Sequence, residues 1–69
     1  MPLTMMRTGE TNIIKRVGGK GDTRSFLENL GFVVGGAVTV VSDTGGNLIV
    51  NVKDSRVAIG KDMANKIMV

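Results

Sequence analysis

From Ala37 to Ile59 the chain alternates apolar and polar residues in three short runs, separated by glycine-rich or aspartate-bearing turns. Period-2 patterning sends successive side chains to opposite faces, so each run reads as a strand with one buried face. The runs are Ala37 to Ser42, Asn47 to Lys53 and Arg56 to Ile59. Register tests how they pair, because a slip of one residue turns a strand inside out. A two-residue turn at Asp54-Ser55 sets Val52 opposite Val57 and Val50 opposite Ile59. A three-residue loop at Thr44-Gly45-Gly46 sets Val40 opposite Val50 and Val38 opposite Val52. A two-residue loop at Gly45-Gly46 would bring Val40 against Asn51, so the odd-length loop is expected. Val38, Val40, Leu48, Val50, Val52, Val57 and Ile59 then share an inner face, while Val41 and Ile49 pair on the outer one.

The remaining elements frame this meander. Thr8-Gly9-Glu10 is a turn signal, and Thr11 to Val17 is rich in β-branched residues, predicting a first strand. Its alternation is imperfect, since Ile14 and Val17 are both apolar, which predicts a bulge or burial on both sides. After Gly18-Gly19-Lys20-Gly21, a helix capped through Asp22 or Thr23 is expected to run to Leu30, with Phe26, Leu27 and Leu30 on one apolar face. Gly31 follows where a left-handed residue stops a helix without a Cβ clash. Lys61 to Ala64 fits one helical turn, and Ile67 and Val69 alternate as a closing strand. The whole reads as one domain over residues 1–69: mainly β, a small SH3-like, partly open barrel. About five strands are expected, with one short helix inserted after the first and a helical turn before the last.

Composition excludes several kinds of chemistry. With no cysteine and no histidine in 69 residues, neither a disulfide nor a thiolate or imidazole metal site can staple the fold. An absence of cysteine fits a reducing cytosol. Nucleophilic catalysis would need an activated Ser, Thr or Lys, and every lysine lies in a polar, strand-end or turn context, so no catalytic residue is assigned. The glycine cluster fails the phosphate-loop pattern, because Ile14 stands where its first glycine belongs and Gly21 follows Lys20. It fails the dinucleotide fingerprint as well, since Arg24 stands where a third glycine is required. The carboxylates Glu10, Asp22, Glu28, Asp43, Asp54 and Asp62 are dispersed, so no metal ligand set and no cofactor is assigned. No apolar run approaches the ~20 residues of a membrane-spanning helix, and the first residues lack the charged and apolar regions of a signal peptide.

The nine basic residues are scattered and the net charge is +3. That bias leaves a nucleic-acid- or ribosome-associated small barrel as an alternative reading, although only Phe26 and Phe32 are aromatic and Phe26 is expected in the core. What survives is surface. Phe32, Val33 and Val34 form an apolar corner between two glycines, and Val41 with Ile49 adds an outward apolar pair that the helix is expected to cover.

At these residues the chain resembles the ferrous iron transport protein A (FeoA) family, in which an Arg-rich helix ends in Leu-Gly, an apolar residue and Pro-Gly before a β hairpin. The match runs through Arg24, Leu27, Leu30-Gly31-Phe32, Val34-Gly35, Val38 and Val40, then Val50, Val52, Ser55-Arg56-Val57-Ala58-Ile59, Met63-Ala64 and Ile67-Met68-Val69. Leu3, Gly9-Glu10, Ile14, Val17 and Gly18 extend it to the front of the chain. Val34 replaces the family's usual proline, and Asp54 stands where glycine is frequent. The resemblance implies a cytoplasmic, non-catalytic accessory protein of ferrous iron uptake, recruited to the inner face of the membrane by the permease FeoB. Leu30, Gly31, Phe32, Val33, Val34 and Arg56 are the expected contact residues. No nucleic-acid partner is implied; a weak Fe(II) contact through oxygen ligands stays open beside the protein contact.

Overall fold

The computed structural model describes residues 1–69. A 3₁₀ turn over Leu3–Met5 opens the chain. It is followed by β1 (Thr11–Ile13), β2 (Arg16–Val17), α1 (Asp22–Leu30), β3 (Ala37–Asp43), β4 (Asn47–Val52), β5 (Ser55–Gly60), α2 (Lys61–Ala64) and β6 (Ile67–Met68). One antiparallel sheet has the order β1-β3-β4-β5, and β2 pairs with β6 in a second. The barrel stays open, with β1 and β5 as the two edges of the larger sheet.

The predicted first strand is two strands, which raises the count to six. Ile14 is the pivot: its N–H donates to the Gly36 carbonyl at 2.8 Å and its own carbonyl accepts from Gly35 N–H at 2.8 Å. Lys15 N–H then turns to the Met68 carbonyl, and Val17 pairs with Ile67. The chain changes sheets here, so Ile14 and Val17 can both be buried despite their odd spacing.

The helix ends at Leu30 as expected, but it starts earlier than a cap at Asp22 or Thr23 implies. Gly21 occupies the N-cap position with φ +52° and no side chain caps the helix; Asp22 sits within the first turn. At the other end Gly31 is left-handed at φ +114°, its N–H donating to the Glu28 carbonyl at 3.0 Å. Phe32 N–H donates to the Leu27 carbonyl at 3.1 Å. These two bonds are the Schellman arrangement, which brings the residue after the glycine back over the last helical turn.

In the meander, Val40 faces Val50 and Val38 faces Val52 as the register argument requires. The loop that achieves this is not the odd-length one. Thr44 N–H donates to the Asn47 carbonyl at 3.0 Å, closing a two-residue turn at Gly45-Gly46 with Gly45 at φ +91°. A bulge at Val41 takes up the odd residue, so that Ser42 faces Ile49 and Asp43 faces Leu48. Parity is thus restored inside the strand. The second turn is Lys53-Asp54, both at positive φ (48° and 61°), instead of Asp54-Ser55. Val52 faces Ser55, Val50 faces Val57 and Leu48 faces Ile59. Each partner is displaced by an even step from expectation, so the same side chains still point inward.

The core is one cluster into which Leu27 and Phe32 from the helix end, Val38, Val40, Leu48, Val50 and Val52 from the sheet, and Ile67 from β6 are packed. Leu3 and Met6, from the opening segment, complete it. No polar or charged side chain is buried.

Candidate functional site

Of the residues expected to meet a partner, Phe32 is the clear correction. It is the largest side chain with no exposure, because the Schellman turn directs it inward beside Leu27. Gly31 is buried too, and Leu30 is half-buried against the core. Val33 is half-buried, while Val34 is 61% exposed. Arg56 is exposed on β5. The corner therefore offers Val34 alone in full. The structure does not bring Val34 and Arg56 together. Val34 precedes Gly35, which is bonded to Ile14 just beyond β1, whereas Arg56 lies on the opposite edge strand.

Phe26 is also corrected: it is half exposed, and Leu27 is the residue of α1 that fills the core. The helix packs against β2, not over the outward Val41 and Ile49. Those two residues are half-buried and do not face each other, because Val41 is the bulged residue.

The outer face of the four-stranded sheet carries one polar row between apolar positions, Ile13 with Ala37 on one side and Ile49 with Ala58 on the other. Thr11, Thr39, Asn51 and Arg56 lie in one row across all four strands. The hydroxyls of Thr11 and Thr39 are 2.7 Å apart, and Arg56 Nε donates to Asn51 Oδ1 at 3.4 Å. Beside this row an open hollow of ≈ 450 Å³ is lined by Ala37, Thr39, Asn51, Val52, Lys53 and Asp54. A second hollow, ≈ 530 Å³, lies by Met1, Asn12, Ile13, Lys15 and Val69. Neither contains a nucleophile held by a base, and no three carboxylates converge anywhere in the chain.

Two charged or glycine-rich features take structural roles. Asp43 accepts from Gly45 N–H at 2.9 Å and pairs with Lys61 Nζ at 3.0 Å. That backbone bond, and then Lys61, hold its carboxyl below the ordinary value. The side chain locks the β3–β4 turn to the start of α2. In the glycine cluster, Gly18 N–H donates to the Lys66 carbonyl at 2.6 Å. A Cβ at Gly18 would lie 3.0 Å from that oxygen, so the cluster is a close crossing of two backbones.

Burial of Phe32 was readable in principle, since an apolar residue just after a helix-ending glycine commonly packs on the last turn. Arg56 carried no signal of its own beyond its charge. Its position on an edge strand follows only from the sheet order.

Comparison with known proteins places these features. The sequence matches the FeoA domain over residues 1–69. A Methanocaldococcus jannaschii protein provisionally named Fe(2+) transport protein A is 32% identical over 68 residues, covering 99% of this chain and 83% of the relative. A crystal structure described as an iron uptake regulatory protein, FeoA, has a TM-score of 0.91 and 33% identity, covering 100% of this chain and 93% of that one. The Stenotrophomonas maltophilia FeoA crystallised with zinc, described as a procaryotic SH3 domain protein, has a TM-score of 0.86 and 27% identity. It is matched over 100% of this chain and 88% of its own.

Proposed function

The chain belongs to the FeoA domain family, and on that premise we propose that it is a non-catalytic accessory protein of ferrous iron uptake, working at the cytosolic side of the membrane by contact with the permease FeoB. The observation that carries this reading is the family match over residues 1–69, on a fold whose accessible features are shaped surface and not chemistry. The relative named for Fe(2+) transport supports the pathway. No helix is long and apolar enough to cross a membrane, and in this reading the transport step belongs to the permease.

Titration of the purified chain against the cytosolic part of its cognate permease tests the reading. Saturable binding is expected, together with reduced Fe(II) uptake when the gene is deleted. No binding and unaltered uptake would remove it. Titrating Fe(II) alone separates direct metal sensing, which predicts heat of binding without the permease.

A further inference from the structure

β5 is bonded to β4 along one side only. Lys61 N–H donates to the Gly46 carbonyl at 3.1 Å, which sets the parity of this antiparallel ladder. Ser55, Val57 and Ile59 therefore turn their backbone groups toward β4. Arg56, Ala58 and Gly60 turn theirs away; none of the bonds in turns, loops or caps uses Arg56 or Ala58, and Gly60, which caps α2, offers its N–H alone. The strand is six residues long, with unbroken register against β4 and no proline. Edge strands are ordinarily blunted by shortness, bulges or proline, because free N–H and C=O groups invite another strand. β1, the other edge, is only three residues. The bulge of this sheet lies in β3. β5 has none of these three protections and carries a single charge, the exposed Arg56, of the kind that also discourages edge pairing.

The outer face beside β5 specifies what would fit. Arg56 has no carboxylate within ion-pair distance, and its bond to Asn51 holds the guanidinium over the outer face at the end of the Thr11–Thr39–Asn51 row. An added strand would extend that row by one side chain beside Arg56, where a carboxylate completes the charge. Two residues along, its next outward side chain would lie beside Ala58, which faces the half-buried Ile49. An aliphatic group suits that place.

We propose that the β5 edge is a strand-addition site for an extended segment of the protein partner, one bearing a carboxylate and, two residues away, an aliphatic side chain. The identity of that partner rests on the accessory reading above; the edge and its register do not. A second copy of the chain fits less well. Two-fold pairing centred on Ala58 sets Gly60 opposite Arg56, which supplies no side chain, and α2 begins at the next residue.

A short blocked peptide with Glu-Thr-Val at its centre is the probe, with Lys-Thr-Val as its control. Hydrogen exchange followed by NMR should show added protection at the amides of Arg56, Ala58 and Gly60 on adding the Glu peptide. Arg56→Glu should weaken that peptide about tenfold and reverse the preference toward the Lys control. Ala58→Pro should abolish binding, since it removes an outward N–H that no internal bond uses. If that variant does not fold, protection in the unaltered chain decides alone. Equal binding of the two peptides, or protection at these amides that rises with protein concentration without peptide, would overturn the inference. A permease fragment that binds the unaltered and Ala58→Pro chains equally would also overturn it, leaving the accessory reading intact. Peptide binding with no permease binding would do the opposite.

Discussion

Phe32 follows the glycine that ends α1 and is fully buried, whereas Phe26, inside α1, is half in solvent. Replacing Phe32 with Ala should therefore cost about 3–5 kcal/mol in urea denaturation, the range for emptying an aromatic core site. Phe26→Ser should cost less than about 1 kcal/mol, since a half-exposed side chain leaves no sealed cavity. Equal losses from the two would show that Phe26 packs more tightly than its exposure indicates. Asp43 makes a different kind of prediction. Its carboxyl is held below the ordinary value by the Gly45 N–H and then by Lys61. Because the folded value is depressed, the ionised form stabilises the fold at neutral pH. That contribution fades as pH falls from the ordinary carboxylate value through the depressed one. Asp43→Asn should remove this part of the acid destabilisation, measured as the change in melting temperature from neutral pH down to about pH 2.

Among the elements, the two hairpins of the meander show parity at work. Both turns have two residues, and they differ in how the strands accommodate them. The β4–β5 turn holds Lys53 and Asp54 at positive φ, a conformation in which an L side chain is strained. The Lys53 stem lies over the helix end, where a Cβ on Gly31 would be 3.4 Å away, so Lys53 has packing to lose. Asp54 is exposed. Asp54→Gly should thus stabilise the protein by about 0.5–1 kcal/mol, read from the denaturation midpoint at constant m-value. A destabilisation would mean that the unfolded chain's gain in freedom outweighs the relieved strain. The β3–β4 hairpin reaches the same inward register by a bulge at Val41, which is also why Val41 and Ile49 do not form a pair.

At the scale of the molecule, closure joins the two ends of the chain. Pro2 bridges to Met68, β2 pairs with β6, and Leu3 is fully buried beside them in the core. Leu3→Ala should cost about 2–5 kcal/mol despite its place near the start of the chain. In a domain this small, that loss should lower the melting temperature by roughly 10 °C or more. A shift of only a degree or two would show that the opening segment is an ornament and not part of the core. An open barrel has one further consequence. Its two sheet edges persist in the folded state, and the longer of them is the surface on which a partner strand can be aligned.

Local chemistry was legible from residue order. The helix end at Leu30, the left-handed Gly31, the single turn at Lys61–Ala64 and the inward side of each meander strand all follow from period and glycine placement. Face assignment tolerated a displaced turn because a two-residue slide leaves side chains on the same side. Two things were decided only by pairing between strands. These are the break at Ile14 and the bulge at Val41. In each, the backbone answers to a partner on another strand: Gly36 and Met68 for Ile14, the β4 register at Ile49 for the bulge. The site divides in the same way. Val34 and Arg56 can be named from the sequence, but which of them is a corner and which is an uncovered edge depends on strand order, and strand order is set by non-local hydrogen bonding.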